Sequence, residues 1–288
     1  MLIKENKTEN SQNISKILTI AGSDSGGGAG IQADIKTATF HNVYIASVVT
    51  CLTAQNSCNV VEIHNPPTDF LAIQLKTVLD DISFSVIKTG MVGNKNNIEA
   101  IFHSIYPYLS SHKPQKQPKL IVDPVMVATS GDILLEKSAI QSLKDLLIAN
   151  CYLTTPNINE AEILANISIN NLAEMKRAAI IIKDIGAKNV LIKGGHLANN
   201  NHKITSILLD SHNNFHLISN RKIIIYNNKN NGKIEFHGTG CSLATAIACN
   251  IAKNIDIINS VKLGNRYIFK ALKHNIEIGK GSRVLRHF

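Results

Sequence analysis

The sequence contains no tryptophan, and aromatic residues of all kinds make up only 5% of its 288 positions. Lysine and arginine leave a formal net charge of +9, yet they are scattered, with no basic run and no aromatic residues between them. That pattern excludes a stacking platform or charged groove for nucleic acid; phosphorylated small molecules are a sufficient use for the positive charge. No apolar run approaches the roughly 20 residues that a membrane helix needs, so a spanning segment is not expected. The first sixteen residues are polar and lack the apolar stretch of a secretion signal. They read as a frayed tail on a cytoplasmic protein. The five cysteines (Cys51, Cys58, Cys151, Cys241 and Cys249) are odd in number and show neither CxxC nor Cys/His spacing. A disulfide framework and a zinc site are both excluded on those grounds.

What is present suits one ordinary folded domain. Hydrophobic residues are 44% and charged residues 18%, enough apolar surface for a packed core. Short β-branched runs at 17–20, 46–50, 86–89, 120–122, 151–154 and 190–193 read as buried strands. Between them lie stretches of helical period. Phe70, Ile73, Val78 and Ile82 approximate one helical face, as do Ile140, Leu143 and Leu147. Strand and helix alternating in this way predict an α/β fold, a mostly parallel sheet covered on both faces. From about residue 205 the rhythm changes. Runs at 206–209, 215–218 and 222–226 follow at hairpin spacing and predict a small antiparallel extension at one sheet edge. Helix returns from about 241 to 275, and 112–119 and 227–233 read as loops. Residues 17–288 are expected to form a single domain behind the tail 1–16.

Two glycine-rich segments carry the chemistry. The first, Ala-Gly-Ser-Asp-Ser-Gly-Gly-Gly-Ala-Gly at 21–30, follows a strand and precedes a helix-compatible stretch. Five glycines in nine residues let the backbone approach a ligand and aim N–H groups at it. The segment fits neither G-x-G-x-x-G, since Ile31 stands where the last glycine should fall, nor the Walker pattern, where Gly28 replaces the lysine. A Rossmann oxidoreductase and a P-loop NTPase are therefore disfavoured. The second segment, His-Gly-Thr-Gly-Cys-Ser at 237–242, opens a strongly helix-forming apolar run. Gly238, Thr239 and Gly240 then lie at a helix N-terminus, where free N–H groups and the helix dipole stabilise anionic charge. Phosphoryl transfer needs such pre-placed donors. Cys241 in the first turn is a candidate base, or simply a thiol whose pKa the helix end depresses.

With the blocks at 52–56, 88–91, 123–131, 155–162 and 193–196, these two segments resemble, in content and order, the hydroxymethylpyrimidine/phosphomethylpyrimidine kinases of the ribokinase-like superfamily. The resemblance spans roughly 17–279 and implies a three-layer α/β/α ribokinase-like fold. It implies an enzyme dependent on ATP and Mg2+ that phosphorylates 4-amino-5-hydroxymethyl-2-methylpyrimidine, then its monophosphate, to the diphosphate for thiamine biosynthesis. A tendency to form homodimers comes with it. By the same resemblance Gly22, Asp24, Gln55, Met91 and the backbone at Val125 line the pyrimidine pocket. An amide such as Gln55 can donate to and accept from an aminopyrimidine edge, and Met91 offers adaptable apolar contact. Asp123, Asn157 and Glu160 are the implied Mg2+ ligands, oxygen donors suited to a hard cation. Lys193 and Arg266 are implied to face the ATP phosphates, and Gly238, Thr239, Gly240 and Cys241 form the catalytic anion hole. Outside the family, Asn157-x-x-Glu160 would read as a helix cap.

The chain departs from the family pattern in four places: Gly26 stands for a serine and Arg266 for a lysine, the loop 227–233 is long, and no Gly-Pro follows Gly-x-Gly at 279–281. The rival readings are a pyridoxal or pyridoxine kinase of vitamin B6 salvage and a catalytically weak pyrimidine-binding relative.

Overall fold

The computed structural model describes residues 14–111, 117–127, 134–194, 203–224 and 234–288. In chain order the elements are β1 (Lys16–Asp24), α1 (Gly30–Phe40), β2 (Tyr44–Gln55), β3 (Val60–His64), α2 (Thr68–Asp81), β4 (Val86–Thr89), α3 (Lys95–Leu109) and β5 (Lys119–Val122). There follow α4 (Ala139–Ser142), which runs on through π and 310 turns to Asn150, then β6 (Leu153–Thr154), α5 (Ile158–Ala165), α6 (Leu172–Asp184), β7 (Val190–Ile192), β8 (Lys203–Leu209), β9 (Phe215–Arg221), β10 (Phe236–His237), α7 (Thr239–Ala252), α8 (Ile257–Lys273) and β11 (Arg283–Val284).

Nine strands form one sheet in the order β3-β2-β1-β4-β5-β6-β7-β8-β9. The strands from β2 to β7 pair in parallel, as the strand–helix alternation predicts. Antiparallel pairing occurs at both edges, β3 on β2 and β7-β8-β9 at the other end, where only the second was expected. The expected strand at 222–226 is not formed in its described part, because β9 ends at Arg221. Residues 225–226, the loop 227–233, most of the loop 112–119 and tail residues 1–13 lie outside the described residues. Lys16, expected in the tail, is the first residue of β1.

Alternation along the strands sorts the core into two layers. Leu18, Ile20, Ile87, Leu120 and Val122 face α2 to α6, while Ile17, Val86, Ile121, Leu153 and Leu191 face α1, α7 and α8. On α2 the buried stripe is Leu71, Leu75 and Leu79, at the i, i+4 spacing of one helical face. Phe70 and Ile73, expected on that face, are exposed, which corrects the sequence reading by rotating the helix. From Ser242 to Ala252 every residue of α7 is buried, because the helix lies between the sheet and α1 and α8. Among the described residues no helix is long and apolar enough to cross a membrane.

Candidate active site

The parallel strands end on one side in a cleft of about 260 Å³. Strand ends are where an α/β sheet exposes backbone and loops to a ligand. Both glycine segments line it, and they touch one another. Gly238 holds φ at +77° as the cap of α7, and a Cβ there would lie 1.9 Å from the Gly28 carbonyl oxygen. Only glycine fits on both counts. The turn therefore delivers the first N–H groups of α7, at Thr239, Gly240 and Cys241, into the cleft with the positive end of the helix dipole.

Beside that turn sits a charged cluster. Asp123 follows β5, Lys193 follows β7, and Asn157 and Glu160 open α5, so three strand ends converge. Lys193 Nζ donates to Asp123 Oδ1 at 2.8 Å and lies 4.0 Å from Glu160 Oε2. Thr155 Oγ1 donates to the same Asp123 oxygen at 2.9 Å. Asn157 and Glu160 form a reciprocal capping box, with Glu160 N donating to Asn157 Oδ1 at 2.8 Å and Asn157 N to Glu160 Oε2 at 2.7 Å. The cap and the cleft wall are thus the same residues. Burial, reinforced by the Asp123 charge and opposed by Lys193, pushes the Glu160 carboxyl up to about 7. Burial acts to lower Lys193, but Asp123 and Glu160 outweigh it and hold the ammonium above its ordinary value. Two buried carboxylates share one ammonium, a deficit of positive charge that a divalent cation would offset. Asp123 and Glu160 are oxygen donors of the kind that suits a hard cation, whereas the Asn157 amide oxygen is taken by the cap, and among the described residues no group of three or more His, Cys, Asp or Glu side chains gathers as a metal site.

The other end of the cleft is organised by Asp24. Its Oδ1 accepts from Gly26 N at 2.8 Å, and its Oδ2 from Gly28 N at 2.9 Å and Ala29 N at 2.8 Å, so it shapes the first glycine loop. His237 Nε2 lies 3.0 Å from Asp24 Oδ2 and 3.0 Å from Gln55 Nε2. Burial acts to raise Asp24, but the His237 hydrogen bond and the backbone N–H groups outweigh it and hold the carboxyl below its ordinary value. Met91 closes the wall, its sulfur 3.7 Å from Cys51 Sγ. A Cβ on Gly22 would come within 2.7 Å of that same Cys51 sulfur. Val125 N donates to the Asp123 carbonyl at 2.8 Å, which anchors this part of the wall to the charged cluster.

Thus Gly22, Asp24, Gln55, Met91, Val125, Asp123, Asn157, Glu160, Lys193, Gly238, Thr239, Gly240 and Cys241 all line one cleft. Arg266 does not. It is exposed on α8, outside the residues that line the cleft. Burial pushes the Cys241 thiol up to about 11, although Lys88 acts to lower it. His237, which had no assigned role, bridges the two glycine segments. Its place directly before the Gly-Thr-Gly turn was the signal. The atypical C-terminus lies against the site: β11 pairs with β10, so Val284 sits beside His237, and Gly281 N donates to Ser57 Oγ at 3.1 Å. Residues 195–196 and 128–131 of the quoted blocks lie outside the described residues. A second cleft, also about 260 Å³, shares Thr239 and Ile268 with the first and is lined further by Asn220, Phe236, Asn265, Phe269 and Leu272.

A mostly parallel sheet with an anion-binding helix turn, a lysine and paired carboxylates at its strand ends defines a ribokinase-like small-molecule kinase. Residues 24–286 match the model of the phosphomethylpyrimidine kinase family. The chain belongs to that family. It is 38% identical over 271 residues to a hydroxymethylpyrimidine/phosphomethylpyrimidine kinase of Synechococcus elongatus, covering 94% of this chain and 96% of the relative. Among solved structures it is similar to a phosphomethylpyrimidine kinase from Clostridium difficile, with TM-score 0.74, 36% identity, and coverage of 90% of this chain and 99% of that one. It is also similar to the pyridoxal kinase of Bacillus subtilis in an ADP complex, with TM-score 0.81, 30% identity, and coverage of 96% and 98%.

Proposed function

We propose that the chain transfers the γ-phosphoryl group of ATP to the hydroxymethyl group of 4-amino-5-hydroxymethyl-2-methylpyrimidine, and then to the resulting monophosphate, yielding the diphosphate used in thiamine biosynthesis. The observation that carries this reading is the family match over nearly the whole chain, joined to a cleft that holds an anion turn, a lysine and paired carboxylates. The ring would lie at the Gly22, Gln55 and Met91 end, where Gln55 supplies both donor and acceptor. ATP would enter from the second cleft, whose apolar side chains and two asparagines suit a purine and which Arg221, Lys222 and Glu235 also line, and its phosphates would meet Lys193 and the 238–241 turn. Asp123 and Glu160, with Asn157, would hold Mg2+, which when bound neutralises charge on the nucleotide phosphates.

Transfer through a loose transition state asks the protein mainly for alignment and for donors that meet the charge on the transferring oxygens. The N–H groups of Thr239, Gly240 and Cys241 would supply those donors. A thiol held near 11 is a poor base, so the turn rather than the Cys241 sulfur would carry most of the rate. Arg266, out on α8, would act on phosphate only through a movement of that helix. The working unit would be one domain over 17–288, a homodimer in the cytoplasm.

The test is a mass-spectrometric product assay with ATP and Mg2+, offering hydroxymethylpyrimidine and pyridoxal in separate reactions. Diphosphate from the pyrimidine is the expected result. Pyridoxal phosphate alone would move the assignment to vitamin B6 salvage, the activity named for a structural relative. Ligand-induced stabilisation without any product would mark a binding-only relative.

A further inference from the structure

Beneath the 238–241 turn lies a group of charges that the reading above does not use. Lys88 is the third residue of β4, a strand buried on both faces, and its side chain is 0% exposed. It donates to Asp34 Oδ2 at 2.8 Å and to Asp34 Oδ1 at 3.1 Å, and Asp34 is likewise 0% exposed. Thr19 Oγ1 donates to Asp34 Oδ2 at 2.6 Å and Thr245 Oγ1 to Asp34 Oδ1 at 2.6 Å, so the carboxylate's four acceptor positions are filled. The cluster joins β1, α1, β4 and α7 through side chains alone. A closed, fully buried ion pair adds little net stability over an apolar packing of the same volume. Its presence directly under a catalytic turn calls for another account.

The geometry supplies one. Thr245 lies four residues after Cys241 on α7, so the two share a helix face, and Cys241 stands one turn closer to the cleft above the cluster. The Lys88 ammonium leans the same way. A Cβ on Gly90, the residue next to cleft-lining Met91, would come within 3.1 Å of Nζ. Its charge acts at both Cys241 and Asp123, and at Cys241 it outweighs the opposing action of Asp34. Asp34, held by Thr19 and Thr245, anchors the other end of the pair.

We propose that Lys88, anchored by Asp34, Thr19 and Thr245, is a positioning residue of the phosphoryl-transfer centre: a fixed buried cation that adds to the α7 dipole and raises the positive potential at the 238–241 turn. The inference rests on the kinase reading above. Lys88 touches no reacting atom; it acts through the turn, whose N–H groups would meet the transferring oxygens. Cys241 makes the potential measurable, because its alkylation proceeds through the thiolate and slows as positive potential is withdrawn.

The test compares wild type with the double variant Lys88→Met/Asp34→Asn, which removes the pair without stranding either charge. Lys88→Gln/Asp34→Asn, which keeps an amide pair at the same positions, replaces it if the methionine variant does not fold. Folding is checked by circular dichroism. Alkylation of Cys241 by iodoacetamide at about pH 8.5 is followed by peptide mass spectrometry, which separates it from the other four cysteines. The expected result is alkylation slower by about fivefold or more, with kcat down about tenfold and both KM values within about threefold. A merely structural role would loosen the turn and leave alkylation unchanged or faster, and that outcome in a folded variant overturns the proposal. Slower alkylation with an unchanged kcat overturns it as well. A wild-type protein that makes no phosphorylated product overturns the kinase reading and this inference with it, whereas normal wild-type turnover with an unshifted variant overturns this inference alone.

Discussion

The protein buries two groups of charge on either side of the same helix turn, and they are built on opposite rules. The Lys88–Asp34 cluster is closed: one cation, one carboxylate, both 0% exposed, and every acceptor position of Asp34 filled. The Asp123–Glu160–Lys193 cluster is open: two carboxylates share one ammonium, face the cleft, and leave Glu160 near 7. A closed pair has no use for a ligand, since its two charges cancel and the Asp34 oxygens are filled. An open one, short of positive charge, gains when a cation arrives. Neutralisation thus separates the part that would shape the site from the part that would bind, although both are buried and ionic.

The sharpest way to break this contrast is to remove one partner from each cluster. Lys88→Met alone strands the Asp34 carboxylate in the core and is expected to lower the unfolding free energy by about 3–5 kcal/mol, read by urea denaturation. Lys193→Met leaves its carboxylates beside the cleft, where water and cations reach them. It is expected to lose less than about 2 kcal/mol of stability but about 100- to 1000-fold in kcat/KM. Equal stability losses in the two variants would show that the clusters do not differ as described.

How much of this was legible beforehand depended on which residues carry it. The strand at 86–89 coincides with β4, because Val86 and Ile87 open a short run with the β-branched Thr89 at its end. The turn at Gly238 was readable because the glycines, the cysteine and the apolar run of α7 are contiguous. β3 was not readable. Val60–His64 is an edge strand with exposed residues, and its pairing with β2 depends on the turn between them. The Lys88–Asp34 pair joins positions 54 apart in sequence and shows itself only when α1 packs on the sheet. A signal did exist: a lysine inside Val-Ile-Lys-Thr, read as a buried strand, requires a buried acid somewhere. Arg266 was placed by resemblance, and its exposure follows from the helical phase of α8, in which Gly264 and Tyr267 face inward.

A smaller effect sharpens the comparison by pH. The Glu160 carboxyl is raised in the folded protein from 4.5 to about 7, so the folded state binds its proton more tightly than the unfolded state does. Its contribution to stability is therefore full below about 4.5 and is lost as pH rises through about 7. Glu160→Gln can keep the capping box and removes the charge. In metal-free protein at about pH 8 the variant is expected to be more stable than wild type by about 2 kcal/mol, the difference vanishing near about pH 5. His41 and His287, both held down to about 4 by burial, contribute the opposite slope below about 6.5. The measured quantity is accordingly the difference between the two proteins at each pH, in which the histidines cancel. Mg2+ should stabilise wild type and leave the variant nearly unmoved.

The smallest change is expected from the residue that lies between the two clusters. With its thiol pushed up to about 11, Cys241 is thiolate in only about one molecule in a thousand at pH 8. A base that rarely ionised cannot carry a large share of the rate, whereas the N–H groups of Thr239, Gly240 and Cys241 are backbone and survive substitution of the side chain. Cys241→Ala is therefore expected to retain kcat within about tenfold of wild type, with a pH profile between about 7 and 9 that superimposes on it. Steady-state kinetics across that range decides the matter. A loss beyond about 100-fold, or the disappearance of a basic limb present in wild type, would return the proton-accepting role to the sulfur and make the cation beneath it an activator of the thiol rather than of the turn.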